Sequence, residues 1–284
     1  MVSSNIFALV GISVLGCAQI SLAACSRPVL QTTLDNLFRS IENARAPSVK
    51  LASSVKISLN NAVVKSIAET SFRNFTKWAK PSQIKVLDET TCNVAAMSIP
   101  KYGNNTQILS TRMQMTPTGE ATELEVFVTG GNTNYIFFGD YLSETPGDIW
   151  NEKNPAPRAE LLKCVDSYAS AITAGKSNMV EVSPTCSRYE NGFKIGNNLA
   201  KGQIGLGFGQ CNAGFELIKV PVTDRRWYID TETGIGFGNF NFAVALWLHE
   251  SFKVKDGKIE QIYAGMIPNF WSVPNDPWSP PKVE

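Results

Sequence analysis

Apolar and polar positions alternate most clearly in the C-terminal third of the chain. Residues 244–254 (VALWLHESFKV) combine β-branched and aromatic side chains with a period of two, which predicts a strand. Asp256-Gly257 is a hairpin signal, and residues 258–263 (KIEQIY) alternate again as the return strand. Residues 226–230 (RWYID), closed by a polar turn, predict a third strand. Together the three strands are expected to form one curved antiparallel meander.

Helical periodicity occurs twice, once in each half of the chain. Residues 30–41 (LQTTLDNLFRSI) and 161–172 (LLKCVDSYASAI) both read as amphipathic helices. Superposing Asp35 on Asp166 aligns the apolar positions of the two segments. The pattern therefore predicts an internal repeat that begins with one helix.

Sequence rich in strand formers follows each helix. Residues 107–115 and 123–128, joined by a Pro-Thr-Gly turn, predict a hairpin that is the counterpart of the hairpin at Asp256-Gly257. Two helix-then-sheet units predict a duplicated α+β protein. The expected boundaries are a first half at 24–145, a linker at 146–157, a second half at 158–268 and a Pro- and Trp-rich tail at 269–284.

The N-terminus has the pattern of an export signal. Its first 24 residues carry no charge, and the apolar run at 6–15 is followed by a Ser-Leu-Ala segment. This is typical of a secretory signal peptide, expected here at residues 1–23. An uncleaved membrane anchor is the alternative, although the run is short for a bilayer span. Sequons at Asn74 and Asn104 fit glycosylation in the same pathway, so the mature chain is expected in the secretory lumen or outside the cell.

Cysteine usage agrees with an oxidising compartment. Cys17 would leave with the signal peptide, and no Cys-x-x-Cys spacing suggests a zinc site. Cys164, inside a predicted helix, is expected to be a buried free thiol. The expected disulfides join Cys25 to Cys92 and Cys186 to Cys211.

Composition and motifs argue against several classes of function. A net charge of +1 gives no reason to expect nucleic acid or an anionic membrane as a partner. The glycine-rich run at 202–209 lacks the Gly-Lys-Ser/Thr and βαβ context of a phosphate loop, so a mobile loop is the simpler interpretation. No Gly-x-Ser-x-Gly elbow accompanies the single histidine, which argues against a serine hydrolase. A carboxylate pair for glycosidic cleavage stays open.

Residues 225–264 also carry a family resemblance. The run RRWYIDTETG…LHESFKVKDGKI resembles the C-terminal signature of a family of secreted fungal proteins of unknown function. In that family a basic pair leads into a strand that ends in an acid, and a His-Glu-x-Phe-x-Val strand closes with Gly-Lys-Ile. The resemblance extends with gaps to residues 186–192 and to the start at Cys25. It implies the fold of ketosteroid isomerase and the SnoaL cyclases, here as two cones, each with helices on a curved antiparallel sheet.

The resemblance implies one base and one hydrogen-bond donor in an apolar cavity, with no metal or organic cofactor. Alternation places His249 and Trp247 on one face of their strand and Glu250 on the other, so the histidine and the glutamate cannot line one cavity. His249 is the only histidine, and imidazole titrates near neutrality unaided. A hydrogen-bonded structural histidine is the alternative. The candidate catalytic residues are His249, Tyr228 and Asp230, and the candidate substrate-binding residues are Trp247 and Arg226.

These residues and the resemblance together point to a cofactor-independent cyclase or isomerase of a fungal polyketide pathway, such as one that dimerises alkyl maleic anhydrides to a maleidride. Proton abstraction beside a carbonyl suits a single base in an apolar cone. The expected partner is a small hydrophobic carbonyl-containing molecule, with a homodimer or a partner biosynthetic protein as further candidates. The alternatives are a non-catalytic secreted protein that binds a small hydrophobic ligand and a structural or host-facing secreted protein.

The mature protein is expected to contain one free thiol. Four of the five cysteines that follow Cys17 pair if the chain folds in an oxidising compartment. Thiol titration of the denatured, unreduced protein should therefore give one equivalent. Five equivalents would show a reducing compartment and remove the disulfides.

Overall fold

The chain folds into two halves, each consisting of helical sequence packed on its own β-sheet. A computed structural model describes residues 25–42, 48–70, 77–78, 83–102, 105–130, 148–196, 209–243 and 245–268. The first half contains α1 (Arg27–Glu42), β1 (Leu51–Leu59), β2 (Ala62–Val64), β3 (Lys77–Trp78), β4 (Ile84–Asp88), β5 (Asn93–Ser98), β6 (Pro100–Tyr102), β7 (Asn105–Met115) and β8 (Ala121–Gly130). The second half contains α2 (Arg158–Ala174), β9 (Val182–Glu190), β10 (Phe193–Gly196), α3 (Phe215–Ile218), β11 (Val222–Asp230), β12 (Ile235–Phe242), β13 (Leu246–Lys255) and β14 (Lys258–Pro268).

The two sheets have the same topology. The strand order is β2-β1-β8-β7-β5-β4 in the first sheet and β10-β9-β14-β13-β12-β11 in the second, with β3 and β6 as additions to the first. The described chain is therefore two copies of one α+β unit, as the repeat of helix and hairpin predicts. The resemblance implied antiparallel sheets, and each sheet is antiparallel apart from one parallel pair, β1 with β8 and β9 with β14. It arises because the first long strand of each unit lies beside the last.

One turn in each half establishes which positions correspond. Asn60 and Asn191 each begin a two-residue turn with positive φ, at 47° and 48°. The amide of Asn60 exchanges two hydrogen bonds with the backbone of Val128, and the amide of Asn191 does the same with Met266. The two turns therefore fix the residue-by-residue alignment of the second half with the first.

Each long helix covers one face of its sheet. Leu30 and Leu34 of α1 are fully buried against the first sheet, and Val165 and Tyr168 of α2 are buried against the second. The opposite faces of the two sheets contribute to a third buried cluster: Ile84, Val86, Ala95, Met97, Ile99, Ile108, Trp150, Tyr189, Tyr228, Ile235, Phe237 and Tyr263. The described residues therefore form one core under each long helix and one between the sheets.

Two buried aspartates join the halves reciprocally. Asp88 at the end of β4 accepts a backbone N–H of β11 at 2.9 Å and pairs with both terminal nitrogens of Arg158, the first residue of α2. Asp230 at the end of β11 accepts a backbone N–H of β4 at 3.1 Å and pairs likewise with Arg27, the first residue of α1. Both carboxylates are at most 1% exposed. These four side chains, the aspartate latch, tie the helix and edge strand of each half to the other.

Each half contains one of the two expected disulfides. Cys25–Cys92 joins the start of α1 to the turn before β5, and Cys186–Cys211 joins β9 to the segment before α3. Cys164 on α2 is a buried free thiol, and burial raises its pKa to about 11.

Several sequence predictions fall outside the described residues. These are the signal peptide at 1–23 with Cys17, the sequons at Asn74 and Asn104, the tail at 269–284 and residues 202–208 of the glycine-rich run. Among the helices that the structure describes, none is long and apolar enough to cross a membrane.

Strand β12 is among the strands that the sequence pattern did not locate, and it changes the order of the predicted meander. The predicted meander paired residues 226–230 directly with 244–254, but β12 lies between those two strands. Its glycines lowered its apparent strand propensity. A Cβ atom on Gly236 would lie 2.5 Å from a methyl carbon of Val165, and one on Gly238 would lie 2.2 Å from the Trp227 ring. Glycine is needed at both positions because neighbouring side chains already occupy that space.

Breaking the aspartate latch should destabilise the fold strongly. Arg158→Ala leaves the buried Asp88 carboxylate without its charged partner, which should cost about 3 kcal/mol of unfolding free energy. The matched control is Lys50→Ala, because Lys50 is 68% exposed where it pairs with Glu120 and should contribute less than about 1 kcal/mol. Denaturant unfolding measures both variants. Equal losses in the two variants would contradict the assignment of the latch.

Candidate functional site

His249 lies between the two sheets rather than under a helix. Its side chain is 2% exposed, and its ring stacks on Phe127 of the first half with centroids 4.1 Å apart. Phe237 meets the ring edge-on, and Nδ1 lies 2.8 Å from the Ser110 hydroxyl. Burial lowers the pKa of His249 well below its usual value, and two nearby arginines lower it further. The imidazole therefore stays uncharged at neutral pH.

Tyr228 and Asp230 lie on the same side of the second sheet as His249. Tyr228 packs on Phe237, and the Arg112 guanidinium lies over the Tyr228 ring at 5.1 Å. Asp230 is held in the aspartate latch. The structure thus brings Tyr228 and His249 onto the buried face between the sheets, and it does not place the three residues around one apolar cone. Their catalytic roles stay predictions.

Glu250 points the opposite way, toward α2. It is the central polar residue on that face of β13, between Leu248 and Phe252. Tyr168 of α2 hydrogen-bonds the Glu250 carboxyl. The ring of Tyr168 meets Phe215 and Phe252 edge-on, each at 5.1 Å between centroids. A carboxyl group is therefore held among aromatic side chains in the core of the second half.

An arginine–glutamate pair borders this carboxyl. Arg188 on β9 donates to Glu190 through Nε at 2.8 Å and through one terminal nitrogen, and its other terminal nitrogen donates to the Cys211 carbonyl at 2.9 Å. The guanidinium also lies over the Phe215 ring. We call Tyr168, Arg188, Glu190 and Glu250 the Glu250 cluster.

The Glu250 carboxyl is electrostatically unusual. Burial raises its pKa to about 8, although the positive charge of Arg188 acts in the other direction. Its Oε2 is buried without a hydrogen-bond partner among the described residues. Burial also raises the pKa of Tyr168 well above its usual value, so the phenol stays protonated. The cluster therefore combines an acid that titrates near neutrality with a fixed hydrogen-bond donor.

The first half has no such cluster at the corresponding positions. The two asparagine turns and the strand pairing align the sheets, and superposition of the helices aligns α1 with α2. The corresponding residues are Leu37 for Tyr168, Ile57 for Arg188, Leu59 for Glu190 and Thr111 for Glu250. Three of these four are aliphatic members of the first core. The two units share a fold, but only the second is polar at its centre.

The alternation of β13 predicts the face of Glu250 correctly but gives no sign of its chemical surroundings. That alternation does separate Glu250 from His249, as predicted, but the titratable group with the raised pKa lies on the face toward the helix. The signal that could have found the cluster is the repeat itself. Superposing Asp35 on Asp166 also puts Leu37 opposite Tyr168, a polar residue where the other copy is apolar.

The predicted substrate-binding residues Trp247 and Arg226 line a different site, a groove between the halves. Its volume is about 530 Å³. The Arg226 guanidinium lies over the Trp247 ring at 5.6 Å and pairs with Glu125 of the first half. We call this the interdomain groove, and its principal lining residues are Lys56, Glu123, Glu125, Arg226, Asn241 and Trp247.

No arrangement of three or more His, Cys, Asp or Glu residues in the described ranges is suited to hold a metal ion.

One known domain model matches the second half of the chain. The model of a domain of unknown function (DUF8021) matches residues 154–266, a range that contains the whole Glu250 cluster. No curated protein matches the chain at a significant level. One solved structure that matches is an LEH-like epoxide hydrolase from M. tuberculosis, 13% identical over 38% of this chain and 84% of that chain, with a TM-score of 0.25. A similarity of that size supports no conclusion about fold or activity.

Glu250 should make the folded protein less stable as the pH rises. Its pKa is about 8 when folded and near 4.5 when unfolded, so the unfolded chain loses this proton first. The contribution of Glu250 to the free energy of unfolding is fully present below the unfolded pKa and is lost as the pH rises through the folded pKa. The total loss is on the order of 3–5 kcal/mol. Glu250→Gln should therefore be more stable than the wild type at about pH 8.5 and much closer to it at about pH 4.5.

Denaturant unfolding of both proteins across this pH range measures the difference. The control is Glu160→Gln, which removes an exposed acid from α2 and should keep the wild-type pH dependence. A Glu250→Gln variant with the wild-type dependence would show that Glu250 titrates normally.

Proposed function

We propose that the protein is an isomerase-type enzyme that moves a proton beside a carbonyl group, with Glu250 as the general base. The observation that carries this proposal is the buried carboxyl of Glu250, which has an unpartnered oxygen and a pKa of about 8. A general base is most effective when its pKa lies near the working pH. We propose Glu250 rather than His249 because burial lowers the pKa of His249 well below its usual value, which makes its imidazole a weak base.

The arrangement suggests how the proton would move. The Glu250 carboxylate takes a proton from the carbon beside the substrate carbonyl, and the electron pair of that C–H bond moves to give an enolate. Tyr168 donates to the carboxylate before the reaction. Once Glu250 is protonated, the Tyr168 hydroxyl is free to donate to the enolate oxygen. Return of the proton from Glu250 to a different carbon completes an isomerisation.

Substrate access depends on the residues that bury the Glu250 cluster. Glu250 is 2% exposed, so a substrate reaches it only if part of the surrounding shell moves. Phe215 packs on Tyr168 and belongs to α3, a helix of four residues. Leu217 on the same helix is 83% exposed, so α3 is held mainly on one side. We propose that displacement of α3 opens the cluster.

The aromatic surroundings favour a small, largely apolar carbonyl compound. Dimerisation of an alkyl maleic anhydride to a maleidride, in a fungal polyketide pathway, is the most specific form of this proposal, because that reaction begins with proton loss from an alkyl carbon that is conjugated with a carbonyl through the ring double bond. The support for it is the family resemblance of residues 225–264 together with the Glu250 cluster. The two disulfides support export to the secretory lumen or beyond.

Deuterium exchange tests the proposed proton transfer. The protein is incubated in D2O with an alkyl maleic anhydride or a conjugated enone, with chelator present, and loss of the substrate proton signal is followed by NMR. Wild-type protein should accelerate exchange. Glu250→Gln should slow it by about a hundredfold or more, since a general base contributes roughly that factor. Glu160→Gln is the matched control and should exchange at the wild-type rate.

A second pair of variants separates the two candidate bases. His249→Gln should retain most of the exchange activity if Glu250 is the base. Loss of exchange in folded His249→Gln, with retention in Glu250→Gln, would assign the chemistry to the histidine instead. Saturable binding of the probes by all variants without any exchange would favour the non-catalytic ligand-binding alternative.

A further inference from the structure

Arg188 and Glu190 occupy the face of β9 that lies under α2, on the same side of the sheet as Glu250. Glu190 pairs with Ala264 of β14, and Ala264 pairs in turn with Glu250 of β13. The two glutamates therefore lie in one row across the sheet, with one small residue between them. Arg188 lies one step away along the same face of β9. A cation and an anion thus border the proposed base.

The Arg188 guanidinium is fixed from several sides. It donates twice to Glu190 and once, at 2.9 Å, to the carbonyl of Cys211. A disulfide joins Cys211 to Cys186, which lies two residues before Arg188 on the same face of β9. The Phe215 ring lies against the guanidinium, with its centroid 5.9 Å from the guanidinium carbon. Arg188 is 7% exposed, so its positive charge is held inside the core.

Among the described residues, the hydrogen bonds of Arg188 go to Glu190 and Cys211 and not to Glu250. Tyr168 donates to the Glu250 carboxyl, whose Oε2 has no partner within the described ranges. A guanidinium paired directly with Glu250 would occupy the carboxylate oxygens and strongly favour the ionised form, which would weaken the base. Glu190 accepts those hydrogen bonds instead. The charge of Arg188 therefore acts on Glu250 while one oxygen of that carboxyl stays free to take a proton.

Three titratable side chains face Glu250 from the elements packed around it: Tyr168 on α2, and Arg188 and Glu190 on β9. On α3, Glu216 is exposed and hydrogen-bonds Ser177 at the protein surface. The positions beside Glu250 on β12 and β14 are Gly238 and Ala264, which carry no charge. Burial is the main cause of the raised pKa of Glu250, the positive charge on β9 lowers this pKa, and the negative charge on β9 raises it. The arginine–glutamate pair therefore adjusts the acidity of Glu250.

We propose that Arg188 is a positioning residue for the Glu250 base and that Glu190 keeps Arg188 from pairing with it. This role rests on the proposed function of Glu250 in proton transfer. The charge of Arg188 stabilises the carboxylate, so the base forms at a lower pH than burial alone would allow. The duplication supports the assignment, because the first half has Ile57 and Leu59 in place of the pair and a threonine in place of Glu250.

Direct titration of Glu250 tests this role without a substrate. The glutamate carboxyls of the full mature chain are labelled with carbon-13 and followed by NMR, and Glu250→Gln identifies the Glu250 signal. Arg188→Met/Glu190→Gln removes both charges, and the Glu250 midpoint should rise by about one pH unit, because Arg188 has the larger effect of the two. Glu190→Gln alone removes the anion and frees the guanidinium to approach Glu250, so the midpoint should fall by about one pH unit or more.

The direction of these shifts separates positioning from packing. A core loosened by substitution admits water, and loss of burial lowers the pKa of a carboxyl, so loosening would lower the Glu250 midpoint in every variant. A rise in the double variant has no such origin. Arg188→Gln/Glu190→Gln keeps a donor for the Cys211 carbonyl and should show the same rise, which covers a methionine variant that does not fold. Arg188→Lys keeps the positive charge and should stay closer to the wild-type midpoint.

A second arginine–glutamate pair provides the matched control. Arg112→Met/Glu123→Gln removes a pair of the first half whose arginine is also buried, and the Glu250 midpoint should equal that of the wild type. An unchanged or lowered midpoint in both double variants at 188 and 190, or a raised midpoint in Glu190→Gln, would overturn the positioning role. The pH profile of deuterium exchange should shift in the same directions. Expected midpoints without any exchange by the wild type would reject only the proton-transfer function. Exchange that requires Glu250, with midpoints that do not move, would reject only the role of Arg188.

Discussion

The reciprocal burial of Asp88 and Asp230 is the constraint on which the rest of the structure depends. Each carboxylate is at most 1% exposed and is held by an arginine at a helix start and by a backbone N–H of the other half. A buried carboxylate is tolerated only when its charge and lone pairs are matched. The two edge strands β4 and β11 must therefore stay in contact, with α1 and α2 both directed at that contact.

This contact sets the two sheets face to face and gives every strand an interface side and a helix side. On β13 the consequence is direct. His249 is stacked on Phe127 of the first half, and its neighbour Glu250 faces Tyr168 under α2. One residue step along a strand thus separates a packing histidine from an acid with a pKa of about 8. The candidate chemistry follows from this division of faces.

Duplication explains how a polar centre can be accommodated at all. The first half repeats the topology with an aliphatic core, and the aspartate latch ties it to the second half. The free-energy cost of burying Arg188, Glu190 and Glu250 together falls on the second half alone. The match to the domain of unknown function, at residues 154–266, coincides with that same half. The asymmetry between the two copies therefore lies in their cores, aliphatic in the first half and polar at its centre in the second.

Local sequence determined much of this protein. Periodicity identified both long helices, the two corresponding hairpins and the α+β class, and cysteine positions indicated both disulfides. These features depend on neighbours in sequence or on few pairing choices. Only the tertiary structure decided which sheet face meets solvent, helix or the other half, because alternation separates two faces without saying what covers each. For the same reason β12, whose glycines fit against Val165 and Trp227, and the role of Glu250 could not be assigned from the sequence.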